Sequence, residues 1–144
     1  MPGVDERLVV AYARFGKSLE AHLTQHISQA GLTATQFTVL ELLFHKGPST
    51  VNEVVEGVLS SSGNIGVVID NLLKAGLVEK KANPADARSR LVELTSSGRS
   101  KIEDYYPRHK RELQRCFKGV EHEEKCQLIK LLGSLRKQIE HNLG

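Results

Sequence analysis

The chain has 144 residues, 40% of them apolar and 26% charged, a composition that suits one folded domain with helical extensions and excludes two large domains or a disordered chain. No apolar run approaches the roughly 18 residues that a spanning helix needs, and Met1–Glu6 lacks the basic and apolar regions of an export signal, so no membrane partner and a cytoplasmic location are expected. The net charge of +3 is unevenly spread: residues 1–73 carry 4 basic and 7 acidic side chains, 74–96 carry 5 and 3, 97–118 carry 7 and 3, and 119–144 carry 4 of each. A basic middle in an otherwise balanced chain suits a polyanion, and equally a solvated basic face.

Leu8, Tyr12, Phe15, Leu19, Leu23 and Ile27 recur every three or four residues and predict a long amphipathic helix from Asp5 to Ser28, closed at Gly31. Thr33 and Gln36 form a capping box that opens a second helix, with Phe37, Leu40 and Phe44 on one face and a stop at Gly47-Pro48. Thr50 and Glu53 open a short third helix burying Val51, Val54, Val55 and Val58. Ser60, Ser61 and Ser62 supply N-cap candidates for a fourth, which carries Ile65, Val68, Ile69 and Leu72 and ends before Gly76. Two β-rich runs, 77–81 and 90–94, flank a polar tip at 82–89 and predict a hairpin. A fifth helix follows Gly98 and runs to about Lys118, with a kink or local unwinding expected at Pro107. The sixth begins near Glu121 and carries the stripe Leu128, Leu131, Leu132, Leu135 and Ile139.

Helices followed by a hairpin predict a mostly α fold, a winged helix-turn-helix over 32–96, with long terminal helices in 1–31 and 97–144. A lobe of about 65 residues cannot cover the apolar stripes of the terminal helices. Burial against each other and against a second copy of the chain, as a twofold dimer, is the simplest way to cover them.

In such a fold the start of the fourth helix enters the major groove of double-stranded DNA. Asn64 can pair with adenine, and Ser61 and Ser62 with base edges or phosphate, unless the serines serve only as caps. Gly63 and Gly66 are costly within a helix and suggest a close approach. On the hairpin, Arg88 and Arg90 suit a narrow minor groove, with Asp86 able to hold an arginine in place through a bidentate pair. Lys74, Lys80 and Lys81 are phosphate contacts or an ordinary solvated face.

The segment from Asn83 to Gly98, with its D-x-R at Asp86–Arg88 and L-T-x-x-G at Leu94–Gly98, resembles the wing of MarR-type (multiple antibiotic resistance regulator) repressors. Residues 70–80 are similar to that family's end of the recognition helix and first strand, and 32–40 to its second helix. The resemblance implies a homodimeric DNA-binding regulator released from a pseudo-palindromic operator by a small effector, often phenolic, or by an oxidant. Residues 106–109 are most similar to the branch answering to hydroquinones and catechols. The family often has threonine where Gly66 stands and arginine where Lys80, Lys81 and Ala87 stand. By position in the family, Tyr12, Phe15, His22, His26, Phe37, Tyr105, Tyr106 and His109 line an effector pocket for a phenolic or quinone-like ligand, or else fill the core.

No cofactor or metal is expected. The zinc-sensing branch has an H-x-x-x-H pair in its fifth helix, but here His109 is followed by Leu113; His22 and His26, at i and i+4, could hold a metal together but read as helix-surface histidines. Cys116 and Cys126 read as reduced thiols outside the first helix, where the oxidant-sensing branch carries its cysteine. No nucleophile elbow, phosphate loop, H-E-x-x-H or dinucleotide loop is present, so the expectation is a non-enzyme. The alternative reading is a winged-helix protein-interaction module with weak or no specific DNA binding.

Overall fold

A computed structural model describes residues 1–58 and 64–144. In chain order these form α1 (Val4–Ser28), α2 (Ala34–Lys46), β1 (Ser49–Thr50), α3 (Val51–Gly57), α4 (Ile65–Lys74), β2 (Val78–Ala82), β3 (Arg90–Leu94), α5 (Ser96–Cys116) and α6 (His122–Leu143). Two compact units divide the chain, Met1–Lys110 and Arg111–Gly144. No helix among the described residues is long and apolar enough to cross a membrane.

The capping chemistry sets the helix starts. Thr33 and Gln36 form the reciprocal box, with Gln36 N–H donating to Thr33 Oγ1 at 3.1 Å and Thr33 N–H to Gln36 Oε1 at 3.0 Å. Thr50 Oγ1 accepts from Glu53 N–H in the same way at the start of α3. Gly47 leaves α2 with φ +87° and Gly76 follows α4 with φ +72°, left-handed conformations that a side chain would strain.

β3 is the centre of a three-stranded antiparallel sheet of order β1-β3-β2, with Val78 opposite Leu94, Ala82 opposite Arg90 and Ser49 opposite Val92. The hairpin is therefore the predicted wing, and the two-residue β1 is an addition to the predicted pair of strands. The core of the first unit joins Ile27 from the end of α1, Leu32, then Phe37, Val39, Leu40 and Leu43 from α2, Val54 and Val58, Ile65, Ile69 and Leu72 from α4, Val78 and Val92 from the sheet, and Ile102 and Tyr105 from α5. Each such side chain contributes about 1.5–3 kcal/mol when fully buried.

Three expectations need correction. Val55 is exposed, because a helix of seven residues can turn only Val54 fully inward. α5 already begins at Ser96 and runs as helix through Pro107, so the proline causes no local unwinding. The N-cap of α4 is Asn64, whose Oδ1 accepts from the N–H groups of Gly66 and Val67 at 3.0 and 3.4 Å. Within α1 only Ile27 is buried, while Leu8, Tyr12 and Phe15 are exposed; α6 exposes Leu128, Leu131, Leu132, Leu135 and Ile139.

Candidate nucleic-acid interface

α4 turns Ile65, Ile69 and Leu72 into the core and leaves Asn64, Val67, Asp70, Asn71 and Lys74 exposed. Ser61, Ser62 and Gly63 lie outside the described residues. The cap engages both lone pairs of Asn64 Oδ1, so this side chain can offer a partner only its Nδ2 hydrogens, and the two-point pairing with adenine needs the cap to open. A Cβ at Gly66 would lie 3.1 Å from Asn64 Oδ1, so a side chain there would require the cap to give by a few tenths of an ångström.

The wing tip is held by its own main chain and two asparagine- and aspartate-based turns. Asn83 Oδ1 accepts from Ala85 N–H at 3.0 Å, Asn83 Nδ2 donates to Ser89 Oγ at 2.8 Å, and Asp86 Oδ1 accepts from Arg88 N–H at 2.9 Å. Asp86 thus orients Arg88 through the backbone. Among the described residues no ion pair joins its carboxylate to either arginine of the wing, which leaves the exposed guanidinium groups of Arg88 and Arg90 available.

The two lysines of β2 face opposite ways. Glu79 and Glu93 are directly opposed across the hairpin, a like-charge pair that destabilises a sheet by itself. Lys81, one step along the same face, hydrogen-bonds Glu93 and lies 3.7 Å from Glu79. The hydrogen bond and charge of Glu93 raise the Lys81 pKa, and Lys81 lowers that of Glu93. Lys81 is committed to the wing. Lys80, on the other face, lines a concavity of about 270 Å3 with Arg90, Ser89, Thr50 and Asn52, a basic and hydroxyl-rich surface of a kind suited to phosphate.

A second feature of the first unit is a cavity of about 480 Å3 between α1 and α2 that reaches His109 of α5. Of the residues predicted to line a pocket, Tyr12, Phe37 and His109 do so. Phe15, His22, His26, Tyr105 and Tyr106 do not line it. Tyr105 is core, 1% exposed, with its hydroxyl bonded to His26 Nδ1, so His26 is half-buried and engaged rather than a free surface histidine. Tyr106 packs against Phe44 and His45 with ring centroids 6.0 and 5.0 Å away. Sequence reasoning missed Glu20, Thr24, Thr35, Thr38 and Glu41. Spacing offered a signal for the α2 members, since 34, 35, 38 and 41 form the helix face next to that of Phe37.

His109 is buried, and its ring centroid is 4.6 Å from that of Phe37. Its Nδ1 is enclosed with no hydrogen-bond partner among the described residues. Its Nε2 is 3.9 Å from Glu41 Oε2, too far for a hydrogen bond. Burial first, and then the charge of His26, lower the His109 pKa, while burial raises that of Glu41 against the opposing pull of His45. The shifts go against proton transfer from Glu41 to His109, so the two face each other without an ion pair at neutral pH.

The sequence profile of the MarR family matches residues 32–89, from the start of α2 to the wing tip. The transcriptional regulator MhqR of Bacillus subtilis (strain 168) is 33% identical over 139 residues, 94% of this chain and 95% of its own. BpsR of Bordetella bronchiseptica, whose DNA binding is regulated by 6-hydroxynicotinic acid, is 30% identical and superimposes with a TM-score of 0.75 over 93% of each chain. A mutant MarR of E. coli in complex with operator DNA is 25% identical, with a TM-score of 0.79 over 90% of this chain and 93% of its own. The first of these relatives is named as a regulator of transcription, the second for its regulated DNA binding, and the third is solved on operator DNA. By fold, by the match over its winged helix and by these relatives, the chain belongs to the MarR family of transcriptional regulators.

Proposed function

We propose that this chain is a cytoplasmic homodimeric repressor that binds a pseudo-palindromic operator and is released by a small phenolic effector. The observation that carries the DNA surface is the pairing of an exposed face on α4, at Asn64, Asn71 and Lys74, with an ordered wing tip presenting Arg88 and Arg90. The lobe that binds DNA is 32–96, and 1–31 and 97–144 provide the dimerisation region. Two separate apolar stripes support the dimer: Val4, Leu8, Tyr12 and Phe15 on α1, and Leu128 to Ile139 on α6, all exposed in the single chain. Exposed stripes of that extent are covered in a stable protein, and a second copy supplies a matching surface by symmetry. The two recognition helices then lie about 34 Å apart on successive major grooves.

The regulation of BpsR by 6-hydroxynicotinic acid supports a small aromatic effector in general by relationship, and the cavity lined by Phe37, Tyr12 and His109 supports it by geometry. The test is quantitative binding to DNA upstream of the chain's own gene at several salt concentrations, with the mass in solution. Arg88→Ala is expected to weaken operator binding selectively, and Lys74→Ala to weaken binding to all sequences and flatten the salt slope by about one. A monomer, or a protein that binds this site no better than random DNA, would transfer the reading to a winged-helix interaction module.

A further inference from the structure

Among the described residues, the ionisable groups lining the α1–α2–α5 cavity are Tyr12, Glu20, Glu41 and His109, with no lysine or arginine. An aromatic carboxylate entering it would give up hydration, find no cation there and meet two glutamates, one of them half-buried. An uncharged hydroxyl meets a different prospect. The neutral His109 ring carries one proton, and a proton on Nδ1 would leave a buried N–H without an acceptor, which favours Nε2. Nε2 and Glu41 Oε2 are 3.9 Å apart, so one oxygen about 2.8 Å from each fits between them, accepting from Nε2–H and donating to the carboxylate. Phe37 and Tyr12 supply aromatic walls for the ring that bears it.

We propose that Glu41 and His109 make this cavity selective for an uncharged hydroxyaromatic compound, whose hydroxyl bridges the two side chains, against an aromatic carboxylate of the same size. The proposal rests on the cavity being the effector site. It makes Glu41 and His109 specificity-determining residues, with Glu20, an exposed residue of the lining, adding to the exclusion of anions.

The experiment compares catechol with salicylate, two ortho-substituted rings of similar size, by calorimetric titration of the full chain at pH 7 under anaerobic buffer. Catechol is expected to bind at least tenfold more tightly. Glu41→Gln is expected to weaken catechol binding and strengthen salicylate binding, narrowing the ratio, with a thermal melt verifying that the variant is folded. Glu20→Gln, at an exposed position that the fold does not need, is expected to strengthen salicylate binding alone. Equal affinities, or tighter binding of salicylate, would overturn charge selection while leaving the cavity as an effector site. An unchanged ratio in both variants would overturn the assignment to these residues. If neither compound binds, the reading of the cavity as an effector site falls, and selection falls with it.

Discussion

Replacing Gly98 with alanine probes the joint between wing and helix. An added Cβ would lie 1.9 Å from the Leu77 carbonyl oxygen and 2.9 Å from its carbon, about 1.5 Å short of ordinary contact. The obstacle is main chain, and that main chain is tied. Leu77 O accepts from Thr95 N–H at 3.1 Å, and Leu77 N–H donates to Leu72 O at 3.0 Å. Thr95 Oγ1 donates to Gly76 O at 2.6 Å and accepts from Gly98 N–H at 3.0 Å. Relief therefore means moving the first turn of α5 from the base of β2 and weakening one or two of these bonds. Overpacking costs about 1–3 kcal/mol and each lost bond about 1 kcal/mol, so Gly98→Ala is expected to destabilise the fold by about 3 kcal/mol. At about 2–4 °C per kcal/mol for chains near this length, the melting temperature falls by about 10 °C. Urea unfolding followed by circular dichroism measures it directly. A loss below about 1 kcal/mol at unchanged m-value would refute the argument that the Leu77 carbonyl is immovable.

The wing lysines separate in a salt titration of operator binding. Lys80→Ala is expected to reduce the slope of log K against log salt by about one phosphate contact, whereas Lys81→Ala, committed to Glu79 and Glu93, leaves the slope unchanged and loosens the hairpin; equal slope changes would show that both lysines reach phosphate. Stability against pH separates His109 from Glu41. The lowered His109 pKa means that below about 6.5 the unfolded chain takes up a proton that the folded chain refuses, so stability present above that pH is lost as pH falls through the window beneath it. His109→Phe is expected to flatten urea midpoints across that window, and parallel profiles would refute the burial argument. For Glu41, raised above 4.5, the folded state loses stability as pH rises through the raised value, so Glu41→Gln is expected to exceed the parent in stability at pH 7 and match it near pH 4. A variant less stable than the parent at pH 7 would show that the carboxylate contributes more than its burial costs.

Elements set by local chemistry were legible in the sequence. The Thr33–Gln36 box, the Thr50 cap and the turn glycines 47 and 76 act within four residues, and strand β3 coincides with the predicted run 90–94. What the sequence concealed depends on residues far apart in the chain. β1 has two residues and exists only because β3 offers its free edge, so no periodicity announces it. A kink or local unwinding is expected at Pro107; the unwinding does not occur, since loss of one internal hydrogen bond is tolerated where the buried Ile102, Tyr105 and His109 anchor both flanking turns. Lys80 and Lys81 look alike in sequence, and only the cross-strand register, with Glu79 opposite Glu93, assigns them different work. The cavity was half legible for the same reason. Aromatic residues suggested a pocket, and Tyr12 and Phe37 do line it, but Tyr105 bonds to His26, 79 positions away, and threonines and glutamates stand in the wall beside them.

α2 belongs to two environments at once, and under the proposed function this gives an occupied cavity a route to the DNA surface. Phe37, Thr38 and Glu41 line the cavity, while Val39, Leu40 and Leu43, on the intervening positions, are buried in the winged-helix core with Ile69 and Leu72 of α4. Close-packed side chains repack between discrete arrangements and do not yield continuously, so under the proposed function a ligand that displaced α2 would carry α4 with it. Phe37 is the point of contact, since it is both 2% exposed core and cavity wall, packed edge-on against Tyr105 at 5.4 Å. In the proposed dimer, held at its terminal helices, a shift of each lobe would change the spacing of the two α4 helices, and DNA with a groove repeat of about 34 Å would reject the changed spacing. The effector needs no contact with DNA for this. Its whole effect is the difference between its affinities for the two spacings, and about 1–3 kcal/mol of such coupling gives a 5- to 150-fold change in operator affinity. By linkage the operator must weaken the effector by the same factor, so a ligand gripped equally tightly in both states would leave DNA affinity unchanged.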